Sequence, residues 1–474
     1  VRTLAVALAG ALAALLLSAS AARAAESAAD ATVVVRAKAK PDQPWKEYPT
    51  RTLEGLAGYR PGAPAPALSK YGGRADVARK ATGFFRVEKT GDRWWLVDPE
   101  GRPFIHVAVV SVRYKLTDGA KEAFAARFGS PAKWAADTAA LLRGMGFNGT
   151  GAWTDDAALA AAPQRLVYTP IHNFMSGFGK SIAVTHQQPG HVGYVKDCIP
   201  VFHPDFPAYC AKAARALEAT KDDPWLLGHF SDNEMPCPRD LLDKTLSLDP
   251  ADPVMGANRR AADAWLAARR GAGAAGAKVT NEERDAWRGH VFDAYYRITT
   301  EAIRRADPNH LCLGSRLYGS EKTCPDVWQA AGRHLDAVAV NYYGAWTPSA
   351  DVMAKWAAWS GRPFIVTEWY TKGEDSGMKN ATGAGWIVPT QADRGLFYQN
   401  YTLALLESKA CVGWHWFKYQ DNDPADLTTD PSNRDSNKGV VSIRFEPYAD
   451  MAQRMNALNR EVYGLADFFD RQGR

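Results

Sequence analysis

The chain has 474 residues, 46% of them hydrophobic, 23% charged and 11% aromatic, which excludes a disordered chain and, in the absence of long apolar runs, a polytopic membrane protein. Its 57 Lys and Arg against 52 Asp and Glu leave a net charge of +5, too near neutrality for a nucleic-acid or anionic-membrane binder. The 16 Trp, 18 Tyr and 18 Phe suit both a large core and a cleft that stacks on flat ligands such as sugar rings.

In chain order, Arg2, the apolar run 4–17 and the small residues up to Ala22-Arg-Ala24 read as a secretory signal peptide over 1–24, too short to span a membrane. Its removal would leave a charge of about +3 and a secreted or periplasmic protein. Of the six cysteines, Cys312 and Cys411 sit in apolar runs as buried thiols, while Cys198, Cys210, Cys237 lie in loop-like sequence where one bridge could form. Residues 25–82, rich in Ala, Pro and Gly, read as a lead-in with one strand at 32–36. The β-rich runs around Lys89-Thr-Gly-Asp92 predict a hairpin.

From there short apolar runs alternate with amphipathic segments. Eight buried parallel strands are predicted at 103–111, 147–152, 165–172, 225–231, 311–315, 337–342, 363–367 and 410–417. Helices are predicted at 132–145, 207–219, 283–306, 324–332, 350–359, 390–406 and 447–463, with a short one at 155–162. This α/β pattern fits a (β/α)8 barrel over 83–474, with long loops at 173–206 and 235–282 after strands three and four. An open doubly wound sheet lacks its glycine turn after the first strand. Gly271-Ala-Gly-Ala-Ala-Gly276 matches G-x-G-x-x-G as a string, but it follows a helical run rather than a strand.

In a barrel the chemistry sits at the C-terminal strand ends. Strand four runs out as Gly228-His-Phe-Ser-Asp-Asn-Glu234, and strand seven as Phe364-Ile-Val-Thr-Glu368. Two carboxyls facing each other are what glycoside hydrolysis needs: one protonates the leaving oxygen, the other attacks the anomeric carbon or activates water. Partial burial and the Glu368 charge would keep Glu234 protonated, and a phenol from Asn341-Tyr-Tyr343 would keep Glu368 ionised. Asn233 is positioned to bond a sugar 2-hydroxyl, and Trp414 or Trp416 to form a stacking floor. Tyr342, His172, Asn173, Arg316 and Trp153 are further strand-end candidates for sugar contacts, whereas Asp232 is read as a loop anchor. The ten His form no metal-ligand spacing and there is no G-x-S-x-G, so neither a metal nor another cofactor is expected.

Asn233-Glu234 and Glu368 resemble the acid/base and nucleophile of clan A retaining glycoside hydrolases. More narrowly, residues 84–104, Gly144-Met-Gly-Phe-Asn-Gly-Thr-Gly-Ala-Trp-Thr-Asp155, Gly228–Met235, Trp414–Asp421 and Asn437-Lys-Gly-Val440 are similar to agarase-type enzymes of family 50. The resemblance implies a retaining mechanism, with Glu234 as acid/base and Glu368 as nucleophile, acting on an agarose-like galactan or its oligosaccharides. Two alternatives stand beside it: the same chemistry on another β-glycan or galactoside, and a non-catalytic carbohydrate-binding barrel.

Overall fold

The computed structural model describes residues 30–62, 66–271 and 278–472. The expected leader at 1–24 and most of the Gly271-to-Gly276 string lie outside the described residues. Among the described residues no helix is long and apolar enough to cross a membrane.

Each of the eight runs predicted as strands overlaps one: β1 (His106–Val109), β2 (Gly149–Thr150), β3 (Val167–Tyr168), β4 (Gly228–Asn233), β5 (Leu311–Arg316), β6 (Val338–Asn341), β7 (Phe364–Glu368) and β8 (Cys411–Trp416). Six of them form one parallel sheet in the order β6-β7-β8-β1-β2-β3. β4 and β5 form a parallel pair. Single parallel bridges, Tyr168 with Leu226, Ile171 with Phe230 and Leu317 with Val340, link this pair to the segments at either end of the six-stranded sheet.

Strand side chains alternate between faces, and here they divide between two apolar clusters. Val167, Leu227, Phe230, Leu313, Ala337, Ala339, Ile365 and Val412 meet in one cluster, joined by Phe85 and Leu96 of the hairpin Arg86–Thr90/Arg93–Val97 region. Their alternates Cys312, Val338, Val340, Phe364, Val366 and Cys411 belong to the other, with the helical residues Trp328, Trp356 and Tyr401. The strands are thus apolar on both faces, as their unbroken hydrophobic runs require.

The helices between them begin on local signals. Ser130 caps Pro131–Gly144 by accepting from the Lys133 amide, and Thr280 with Glu283 forms a capping box for Asn281–Ala306. Three differences from the sequence reading stand out. The lead-in is not a bare linker: Thr32–Ala37 pairs antiparallel with Lys46–Arg51, and the Trp346 indole donates to Thr50 Oγ1 at 3.0 Å. The two long loops hold more structure than was read there, with helix Phe174–Ser181 and hairpin Thr185–Gln188/His191–Tyr194 in the first and helix Leu241–Leu246 in the second, while Gly256–Arg270 contains the helical run read before the glycine string. All six cysteines are buried free thiols, so no bridge joins Cys198, Cys210 and Cys237.

Candidate active site

β4 ends at Asn233, and Glu234 follows in the left-handed region at φ 44°, a conformation that costs a non-glycine residue roughly 1–2 kcal/mol. Its amide is held by the Arg316 carbonyl at 3.1 Å. Across from it Glu368 is the last residue of β7. Both are nearly buried and both line one cleft of about 780 Å³, within the roughly 300–1,000 Å³ range of small-ligand sites.

The two carboxyls have opposite partners. Glu234 Oε1 accepts one hydrogen bond, from Asn341 Nδ2 at 2.7 Å. Asn341 is oriented by Thr367 Oγ1, which donates to its carbonyl at 2.7 Å. Burial first, and the Glu368 charge second, raise the Glu234 carboxyl above its ordinary range, against the opposing pull of Asn341 and Arg316. Glu368 Oε2 accepts from the Tyr343 hydroxyl at 2.7 Å. Its Oε1 makes an ion pair with Arg316 Nη2, also at 2.7 Å. Burial and the Glu368 charge keep the Tyr343 phenol protonated far above neutral pH, so it is a permanent donor. Arg316, the last residue of β5, is fully buried, and its guanidinium lies 4.2 Å from the Trp153 ring centroid. The site therefore holds one carboxyl biased toward its neutral form beside one that meets a guanidinium and a phenol, two environments of the kind acid–base glycoside chemistry uses.

Several sequence-predicted residues lie elsewhere. Trp414 and Trp416 are not a stacking floor: both are completely buried, donating to the Tyr398 hydroxyl at 2.9 Å and the Lys438 carbonyl at 3.0 Å. The cause is a register shift, in which Phe364 pairs with Cys411 but Ile365 with Gly413. One extra residue reverses the faces, so His415 packs inward near Phe230 and the tryptophans turn to the helices. Tyr342 likewise faces outward, 4.9 Å from the Trp356 ring, and its hydroxyl accepts from the Ser349 amide. Its neighbour Tyr343, on the opposite face, is the phenol that reaches Glu368.

His172 enters a buried chain instead of the cleft. Its Nε2 meets His229 Nδ1 at 2.9 Å, while His229 Nε2 and His310 Nδ1 both bond Asp307 Oδ2, at 2.9 and 2.7 Å. The convergence of His229, Asp307 and His310 has the geometry of a metal-ligand set, but the facing atoms are already bonded to one another. Asn173 is exposed at the start of helix Phe174–Ser181 and does not line the cleft. Asn233 accepts from Asn341 Nδ2 at 3.2 Å. Trp153 lines the cleft, together with Tyr318, Tyr343, Tyr370 and Phe417. Asp232 accepts from the Met175 and Ser176 amides and from Tyr295, the loop-anchoring role read from sequence. Asn341 was visible only as part of a strand end. Arg316 was visible as a sugar contact, and its pairing with Glu368 carried no local signal.

No family model matches the chain. Beta-agarase B of Vibrio sp. (strain JT0107) is 25% identical over 501 residues, covering 84% of this chain. The chain spans about half the length of that curated relative, 50%. A solved structure described as that of PfGH50B shares the fold, at 21% identity with a TM-score of 0.69, covering 84% of this chain and 69% of its own. The crystal structure of BpGH50 superposes with a TM-score of 0.81 at 32% identity, over 93% of this chain and 96% of that one. At that identity and nearly complete mutual coverage, the chain belongs to the GH50 glycoside hydrolases.

Proposed function

We propose that the protein is an exported, retaining β-glycoside hydrolase that cleaves a β-linked galactan of the agarose type by double displacement. The observation that carries this is the pairing of Glu234, biased toward its protonated form by burial, with Glu368, whose two oxygens meet Arg316 and Tyr343 in the same cleft. Glu234 protonates the glycosidic oxygen as Glu368 attacks the anomeric carbon, forming a covalent glycosyl-enzyme. Glu234 then takes a proton from water, which displaces Glu368 with net retention. Asn233 contacts the sugar 2-hydroxyl and Trp153 stacks on a ring. Retention requires the two carboxyls to stand about 5–5.5 Å apart.

The scaffold of this reading is a closed (β/α)8 barrel over 83–474. The parallel bridges at both edges of the β4-β5 pair and the separate inward-facing cluster support closure. The names of the relatives, beta-agarases among them, support the galactan. Residues 1–24 would direct export, which sequencing the N-terminus of the mature protein checks.

The test incubates wild type and Glu368→Ala with agarose, porphyran and other β-glycans and follows the anomeric proton of the first product by NMR. Neoagaro-oligosaccharides released as the β-anomer by wild type alone are expected. Cleavage of another glycan, still lost in the variant, would keep the mechanism and replace the substrate. Turnover surviving in the variant would overturn the mechanism.

A further inference from the structure

The cleft wall is more basic than an uncharged galactan requires. Lys40, Arg113, Lys115, Lys418 and Lys438 line it, against Glu234, Glu368 and Asp430. Most of these charges are already answered. Lys40 donates to the Gly383 carbonyl at 3.2 Å. Lys115 pairs with Asp426 and bonds Thr428. Lys438 donates to the Ser432 carbonyl and Asn433 Oδ1. On the acidic side Glu368 has Arg316, and Asp430 accepts from the Gly190 and Ser432 amides and Gln187.

Arg113 and Lys418 are left over. Among the described residues neither side chain has a hydrogen-bond or ion-pair partner, yet both line the carboxylate cleft and a smaller cavity of about 360 Å³ beside it, which Ser111 also borders. The acids on the far side of that cavity are engaged: Asp421 accepts from Asn437, the Gly439 amide and Tyr448, Asp423 accepts from Thr117, and Asp426 is paired with Lys115. Burial, and next the Arg113 charge, lower the Lys418 ammonium to about 8, so the two cations repel each other across this wall.

We propose that Arg113 and Lys418 form a subsite for an anionic substituent, a sulfate ester or a carboxylate, on a sugar beside the bond that is cleaved. This deepens the hydrolase reading and rests on it, since it places the anion relative to Glu234 and Glu368. A planar guanidinium and a neighbouring ammonium suit the tetrahedral or planar oxygens of such a group. A neutral galactan leaves the two cations without an anion, so the wall favours a charged relative of the same backbone over it.

Binding of length-matched neutral, sulfated and carboxylate-bearing galacto-oligosaccharides to Glu234→Gln, measured by calorimetry at low and high salt, tests this. At least one charged ligand is expected to bind about tenfold tighter than the neutral one, the value of one good charge contact. That advantage should shrink with salt and collapse to about twofold or less when Arg113→Ala or Lys418→Met is added. Which charged ligand gains identifies the anion. Equal or tighter binding of the neutral ligand, or an advantage that survives both added substitutions, would overturn the subsite. Arg113 is exposed, so its variant keeps the test open should the Lys418 variant not fold. Wild-type product analysis on the same ligands separates the two readings: failure to cleave any of them sinks the hydrolase, while the affinity ratio still judges the anion site.

Discussion

Replacing Tyr343 by Phe isolates one contact of the site. The hydroxyl donates to Glu368 Oε2 at 2.7 Å, while Arg316 serves the other oxygen and the ring, 5.5 Å from that of Tyr370, keeps its packing in the variant. A hydrogen bond to a charged group contributes about 1.5–3 kcal/mol. At 1.36 kcal/mol per decade this is a loss of roughly 10- to 150-fold. In the proposed mechanism the loss falls on kcat, because Glu368 regains its charge when water releases it from the glycosyl-enzyme. Initial rates on agaro-oligosaccharides measure it, and mass spectrometry of the quenched enzyme should show the covalent adduct accumulating. Tyr342→Phe is the control: its hydroxyl meets the Ser349 amide, so kcat should stay within about twofold while stability drops by about 1 kcal/mol. If Tyr343→Phe keeps kcat within about twofold and shows no adduct, Glu368 is not the group that leaves as an anion.

Glu234→Gln should abolish acid-assisted turnover yet stabilise the fold at alkaline pH. The Glu234 carboxyl is raised above its unfolded value near 4.5, so the native state holds its proton longer and stability falls as pH rises through that window. The melting-temperature gain of the variant should be near zero at low pH and grow toward alkaline pH; a constant gain would refute the buried-acid reading. Arg316→Met leaves Glu368 nearly buried and without its cation, which should cost about 3–5 kcal/mol in chemical denaturation; an unchanged midpoint would show that the ion pair does not matter. Trp153→Ala should mainly raise KM, since the ring lines the cleft. Trp414→Ala, completely buried, should instead lose about 3–5 kcal/mol of stability; the reverse pattern would contradict the assignment of these two rings.

The eight strands were legible because a strand buried on both faces leaves an unbroken apolar run, and no tertiary knowledge is needed to see one. The helices were legible from their period and caps, and Glu234 and Glu368 from their place at the ends of two such runs. Within the long loops the run ending at Arg270 was legible, but helices such as Leu241–Leu246 were not, being too short to declare a period. Which face a strand-end aromatic presents was also beyond the sequence. One bulge in β8 sends Trp414 and Trp416 into the helix layer, and adjacent tyrosines separate to opposite sides of β6. Charge pairing is likewise a tertiary matter. Arg316 meets a carboxylate 52 positions away, and Arg113 and Lys418 come together on one wall from strand ends some 300 residues apart in the chain. Local chemistry determined the kinds of element and the carboxylates they carry; only the packing of strands of defined register decided what those carboxylates touch and which cations are left without partners.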